Sequence, residues 1–221
     1  RVSRLGEGAF DVTIQPVVDL YRGQLRRGLG LPDGKGIERA LARVDHRGVR
    51  IQGGTVTLER AGMEVTLDGI GKGYVIDRGV EVLRRSGFGS VFVEAGGDLV
   101  AGGGSDPWRI GIRSPRRHLA LQARFDARDR AVATSGDYMQ PFTADYSQHH
   151  ILDPRTGTSA PELASATVVA GDAATADALA TGVMVLGPVR GRALLEDLPG
   201  CEGYLVTKDL GVVRTSGFGL V

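Results

Sequence analysis

The sequence predicts a single α+β domain over residues 1–221, with mixed or antiparallel sheets and flanking helices. Three observations lead there. Strand-like runs are joined by glycine turns into hairpins. Helical stretches interrupt them only loosely, without the regular alternation of a doubly wound sheet. Neither a linker nor an internal repeat divides the chain, and 221 residues can bury one sizeable core.

The elements follow in order. Residues 9–21 begin as a short extended segment, and Pro16 opens a helix. Asp11 reads by default as a surface residue, a ligand contact being the minority reading. Residues 34–44 carry helical spacing at Ile37, Leu41 and Val44. Residues 49–60 read as a hairpin turning at Gly53-Gly54. In residues 64–85 a strand ends near Asp68, a glycine-rich turn carries Lys72, and a helix runs through Val75, Val82 and Leu83. Such a turn can cradle phosphate, because its backbone N–H groups and helix N-terminus point outward. Its spacing matches neither the Walker nor the Rossmann pattern.

Residues 90–95 form a buried strand, followed directly by Gly96, Gly97 and Asp98. Residues 108–113 and 119–125 pair around a loop that holds His118. Residues 131–138 make a strand ending in small hydroxyl residues and glycine, and 153–157 (D-P-R-T-G) is a turn. A strand at 164–170, the helix 171–187, a helix at 189–198 and strands at 202–207 and 211–215 complete the chain.

The helix 171–187 organises the rest. Asp172 caps it, and the Ala/Leu/Met run behind favours helix and burial. Asp177 and Thr181 break that apolar character, and their spacing puts them one turn apart on the same face. A carboxylate and a hydroxyl are hard oxygen donors suited to Mg²⁺ or Ca²⁺. The alternative is an aspartate bonded to loop amides, with Thr181 bonding back into its own helix. The helix by itself favours that alternative.

Composition excludes some classes. Net charge is +1 and arginine is scattered, so no nucleic-acid partner is expected. The 34 glycines fall in short motifs between hydrophobic runs, where they permit close backbone approach to a ligand. Cys201 is the only cysteine, which rules out an internal disulfide. No apolar run reads as long enough to span a bilayer, and no stretch of residues 1–221 reads as a signal peptide. The chain begins abruptly next to a core segment, so a trimmed N-terminus is expected.

Six segments then stand in the order of a known family. G-A-F-D at Gly8 to Asp11, T-L-D-G-I-G-K-G-Y-V-I-D at Thr66 to Asp77, E-A-G-G-D at Glu94 to Asp98, A-T-S-G-D-Y at Ala133 to Tyr138, H-I-L-D-P-R-T-G at His150 to Gly157, and A-D-A-L-A-T at Ala176 to Thr181 resemble the ApbE family of flavin transferases. The likeness spans almost the whole chain. The family's longer N-terminal portion is missing, Thr66 stands where the family often has Asp, and Asp68 replaces a small residue. The resemblance implies an ApbE-like domain and a Mg²⁺-dependent enzyme, with Ca²⁺ an alternative occupant in crystals. That enzyme cuts the pyrophosphate of FAD, passes FMN to a threonine hydroxyl on a partner flavoprotein of a membrane redox complex, and releases AMP.

Carried onto this chain, the resemblance assigns the metal to Asp177 and Thr181 with backbone carbonyls of Gly69 and Ala180. It assigns FAD to Ala9, Phe10, Asp11, Asp68, Lys72, Gly96, Gly97, Asp98, Ser135, His150 and Ile151. His150 is the candidate base for the attacking hydroxyl, the rival being a carboxylate such as Asp68 or Asp98. His149, adjacent on a strand, faces the other way, and His46 and His118 are expected to be solvated. The competing functions are an FAD pyrophosphatase yielding FMN and AMP, and a non-catalytic FAD-binding protein. The expected location is extracytoplasmic or periplasmic, with a lipid anchor on the missing N-terminus; a cytoplasmic location is the alternative.

Overall fold

A computed structural model describes residues 1–117 and 119–221; the expected solvated His118 lies outside the described residues. The fold is α+β, and every strand pair among the described residues is antiparallel. Helices α1 (Val2–Leu5), α2 (Gln15–Arg26) and α3 (Gly34–Leu41) come first, followed by a hairpin of β1 (Val49–Gln52) and β2 (Thr55–Leu58). Its turn residues Gly53 and Gly54 have φ of 55° and 81°, values that a tight hairpin turn requires and glycine supplies without strain. After α4 (Gly71–Arg85) come β3 (Val91–Ala95), β4 (Asp98–Gly102), β5 (Trp108–Arg113), β6 (Leu121–Ala127), β7 (Arg130–Gly136) and β8 (Leu163–Ala170). Helix α5 (Ala173–Glu196) and strands β9 (Glu202–Thr207) and β10 (Val212–Arg214) end the chain.

Six strands form one sheet in the order β10-β9-β8-β7-β4-β3. Successive residues along a strand face opposite sides, and both sides are covered. Val100, Ala131, Ala133, Ala166 and Val168 turn toward Ile76 and Val80 of α4 and Leu179, Val183 and Met184 of α5. Leu99, Ala101, Val132 and Val169 turn the other way, toward Ile110, Ile112, Phe125 and Ala127 of the β5–β6 hairpin. A smaller cluster of Val17, Tyr21, Ala40 and Leu152 joins α2 and α3 to the body.

Helix α5 runs 24 residues, with Gly187 at φ 77° and Pro188 breaking it into two segments. Contrary to the expectation from sequence, it is long and apolar enough to cross a membrane. Most of its first segment is instead core, because two elements of the same fold cover it. Four further expectations need correction. No strand ends at Asp68; residues 63–67 are irregular, and Thr66 N–H bonds the Val12 carbonyl at 2.8 Å. Helix α4 buries Ile76 and Val80, leaving Val75 and Val82 exposed. Strand β3 is an edge strand buried on one side only, with Phe92 exposed. The entry to α2 is a 3₁₀ turn at Val12–Ile14 rather than an extended segment.

Candidate active site

The site begins where α4 and α5 cross. A side chain on Gly73 would collide with the Ala173 carbonyl, so only glycine lets the first turn of α4 lie against the first turn of α5. Asp77 of α4 then caps α5, accepting from Ala173 N–H at 2.8 Å and Ala174 N–H at 2.9 Å. The crossing also brings Gly73 N–H to Asp177 Oδ2 at 3.1 Å.

Asp177 is 5% exposed, and burial pushes its carboxyl up to about 6. The Gly73 bond and the Lys72 charge oppose that rise, and the negative charge of Asp98 adds to it. Among the described residues Gly73 is the only hydrogen-bond donor to this carboxylate. One turn on, Thr181 does not bond back into its helix; its Oγ1 lies 3.3 Å from Ser135 Oγ. The backbone of Gly69 passes directly beside it, close enough that a Cβ there would sit 3.1 Å from Thr181 Oγ1.

Lys72, in the first turn of α4, reaches Asp98 Oδ2 at 2.7 Å. Asp98 is 1% exposed and also accepts from Thr134 N–H at 3.1 Å. Burial raises its carboxyl, with Lys72 pulling the other way. Gly96 and Gly97, both with positive φ, form the two-residue turn between β3 and β4 that delivers Asp98 to this position.

These groups open onto a cavity of about 700 Å³ lined by Gly69, Lys72, Gly96, Gly97, Ser135, Asp177 and Thr181. Ala9, Phe10, Asp11, Asp68, His150 and Ile151 line it too. Asp98 and Ala180 are not on its wall. Ala180 is fully buried inside α5, and Asp98 lies behind Lys72. Phe10 packs into the gap between Gly69 and Gly182.

Asp11 is not a surface residue: it is 7% exposed, and Oδ1 accepts from Thr13 N–H at 2.8 Å and Oγ–H at 2.6 Å. Its Oδ2 accepts from His46 N–H at 2.8 Å and lies 3.2 Å from His46 Nδ1. His46 is therefore paired rather than simply solvated. Asp68 is exposed and faces Arg22 at 3.5 Å.

His150 sits at the base of the loop 137–150, where its N–H bonds the Gln140 carbonyl at 3.1 Å. Its Nδ1 is buried without a hydrogen-bond partner among the described residues. Burial first, and the neighbouring His149 second, push the imidazole down to about 4, so the ring is neutral at pH 7. His149 is fully buried, and its Nε2 lies 2.9 Å from the Ala160 carbonyl, which makes it part of the core.

Sequence reasoning missed the remaining walls. Leu99, Ile110, Ile112 and Val132 form an apolar slot between the hairpin and the sheet, and Arg22, Arg113, Tyr138 and Gln140 also line the cavity. Apolar strand residues of this kind look the same whether they meet a core or a ligand. The arginines carry no motif.

The inventory fits a hard divalent cation. Asp177 has one oxygen bonded to a single amide, a hydroxyl stands one turn away, and the donors are oxygen only. Among the described residues no group of three or more His, Cys, Asp or Glu gathers, so a soft-metal or multi-carboxylate centre is not built here. Water and ligand oxygens would complete the coordination, as is usual for Mg²⁺. The cavity falls in the size range of small-molecule sites, roughly 300–1,000 Å³.

Comparisons with known proteins converge. The family model described as "ApbE family" matches residues 1–205. An FAD:protein FMN transferase of Klebsiella pneumoniae is 32% identical over 220 residues, covering 95% of this chain and 63% of the relative. One of Vibrio cholerae is 36% identical over 205 residues, covering 89% and 61%. The chain thus spans less than two thirds of the length of these curated relatives. Among solved structures, the ApbE protein of Thermotoga maritima superposes with a TM-score of 0.87 at 33% identity, covering 97% of this chain and 72% of that one. The flavin transferase ApbE of Vibrio cholerae gives 0.82 at 32%, covering 99% and 72%.

Proposed function

Because the chain belongs to the ApbE family, we propose that it acts as a Mg²⁺-dependent FAD:protein FMN transferase, moving FMN from FAD to a threonine hydroxyl of a partner flavoprotein and releasing AMP. The observation that carries this reading is the meeting of Asp177, Thr181 and Lys72 on a cavity that a neutral His150 also lines. A site for phosphoryl transfer needs charge neutralisation and positioning more than covalent assistance. When bound, Mg²⁺ would neutralise charge on the pyrophosphate oxygens and on the leaving phosphate.

Asp177 and Thr181 would hold that ion, with the Gly69 backbone beside them. Lys72, steadied by Asp98, adds a fixed positive charge. The Gly96-Gly97 turn allows close approach of the pyrophosphate to backbone. Phe10 and the slot of Leu99, Ile110, Ile112 and Val132 would supply apolar surface for a ring of FAD. In the transfer, the threonine oxygen bonds the FMN phosphorus, the bond from that phosphorus to the bridging oxygen breaks, and AMP departs with the bonding pair. His150 takes the hydroxyl proton on an imidazole nitrogen. Its depressed pKa keeps the ring free to accept, although it makes the imidazole a weaker base than one near neutrality. Asp98, paired with Lys72 and off the cavity wall, and Asp68, exposed beside Arg22, are poorer placed for that role.

Incubation with FAD, Mg²⁺ and a threonine-bearing flavoprotein tests the reading. Flavin fluorescence that stays with the acceptor in a denaturing gel is the expected result. Free FMN with AMP and an unlabelled acceptor would show a pyrophosphatase instead, and unchanged FAD a binding protein.

A further inference from the structure

A second buried charge cluster lies outside the metal and phosphate groups. Asp137, directly after β7, is fully buried, and Arg116 grips it with Nη1 and Nη2 each at 2.7 Å from a carboxylate oxygen. Lys208, from the turn between β9 and β10, places Nζ 3.8 Å from Asp137 Oδ2 and donates to the Tyr146 carbonyl at 2.6 Å. The Arg116 guanidinium also lies over the Tyr146 ring, 4.4 Å from its centroid. Tyr146 holds φ at 61°, a left-handed conformation that a bulky residue seldom adopts unless its surroundings impose it.

The cluster ties together parts that chain order keeps apart. Tyr138, Met139, Gln140 and His150, all on the loop 137–150, line the cavity. Arg116 belongs to the connection between β5 and β6, just beyond Ile112 and Arg113 on another wall of the same cavity. A buried ion pair is weak evidence of stabilisation, since its desolvation offsets most of its attraction. A bidentate arginine does impose geometry.

We propose that Asp137, Arg116 and Lys208 are positioning residues that fix the 137–150 loop against the β5–β6 hairpin, setting the width of the FAD cavity and the place of His150 in it. The proposal rests on the FAD reading above and adds to it three residues that do not themselves touch the reacting atoms.

The test replaces the pair with apolar side chains, Asp137→Leu with Arg116→Met, an exchange that is often neutral or stabilising for buried pairs. Lys208→Met, which removes the outer and partly exposed cation, is the milder variant. FAD affinity in Mg²⁺ is measured by calorimetry beside thermal melting, with Leu195→Ala in the core as a control for general destabilisation. The double variant is expected to bind FAD roughly two- to thirtyfold more weakly. Lys208→Met should shift affinity in the same direction by less, and Leu195→Ala should lower the melting temperature with FAD affinity unchanged. The saturated transfer rate should also fall in the double variant, because His150 is displaced.

Wild-type FAD affinity in a folded double variant overturns the proposal, as does an affinity loss that simply follows melting temperature across all variants. If the double variant does not fold, unchanged affinity in Lys208→Met overturns it. Wild-type protein that does not bind FAD overturns the functional reading and this proposal together; wild-type binding matched by the variants overturns this proposal alone.

Discussion

Asp177 projects from the first segment of α5 and is met by one backbone amide, whereas His150 stands at the base of a loop with a ring nitrogen that has no hydrogen-bond partner among the described residues. Both line one cavity, and burial is the largest cause acting on each. It pushes the carboxyl up to about 6 and the imidazole down to about 4, toward neutrality in both cases. At pH 7 the outcomes part. The imidazole is already neutral and able to accept a proton. The carboxylate is ionised, and it costs the fold stability until a cation joins it. The metal role proposed for Asp177 would offset that cost at the helix end, whereas the neutral imidazole at the loop end carries no such cost.

The sharpest way to break this comparison is Asp177→Ala. Transfer should fall by at least roughly 10²–10³-fold, the scale of losing one preorganised electrostatic group. Stability should not fall with it. Burial holds the folded carboxyl up at about 6, above the ordinary 3.8 of the unfolded chain, so the folded chain holds the proton more tightly. Stability therefore drops as pH rises from about 4 to about 6, and above that the full cost, of order 3 kcal/mol, remains. Removing the carboxylate lifts that cost, and Ala suits the helix. In the absence of Mg²⁺ the melting temperature at neutral pH should hold or rise.

At the loop end, His150→Ala should lower the saturated transfer rate by roughly 10²–10⁴-fold while leaving FAD affinity nearly unchanged. A loss confined to affinity would make His150 a binding residue. His149→Ala is a poor control, since it would remove a fully buried histidine bonded to the Ala160 carbonyl.

Gly73→Ala asks whether the helix crossing builds the carboxylate end. The new methyl meets the Ala173 backbone, which cannot swing aside as a side chain can. Overpacking of this kind costs about 1–3 kcal/mol, or roughly 2–12 °C in melting temperature at this chain length. Mg²⁺-dependent activity should weaken at the same time, because Asp177 loses its amide. Asp68→Asn should do least. The pair with Arg22 is solvent-exposed, and stability should change by less than about 1 kcal/mol in thermal melts.

The same two ends differ in how far they could be read from sequence. The helix end draws attention because its residues contradict their surroundings: a carboxylate and a threonine in an Ala/Leu/Met helix, and glycines at strand ends. The helix by itself favours an aspartate bonded to amides, and the family resemblance carries the metal assignment. The α+β class was legible for a related reason, since strands joined by glycine turns pair with their neighbours, although the sequence leaves the sheets mixed or antiparallel. The faces of the elements were less so. Helix α4 carries apolar residues at 75, 76, 80, 82 and 83, spread over nearly half of its circumference, and only docking against α5 and the sheet selects Ile76 and Val80. Asp11 looked like a surface residue because the partners that satisfy it, Thr13 and His46, include one 35 positions away. The loop end was least legible. The Asp137–Arg116–Lys208 cluster joins three distant segments, and no local spacing announces it.

The central claim is that Asp177 and Thr181 hold a divalent cation whose binding competes with a proton on Asp177. Calorimetric titration of Mg²⁺ into FAD-saturated protein, repeated at several pH values for the wild type and Asp177→Asn, tests it most directly. The wild type should bind one Mg²⁺, with affinity level above about pH 6.5 and falling about tenfold for each pH unit below about 6. Asp177→Asn should show no such slope and little binding at any pH. An Asp177→Asn variant that binds Mg²⁺ with wild-type affinity and the same pH dependence would contradict the claim.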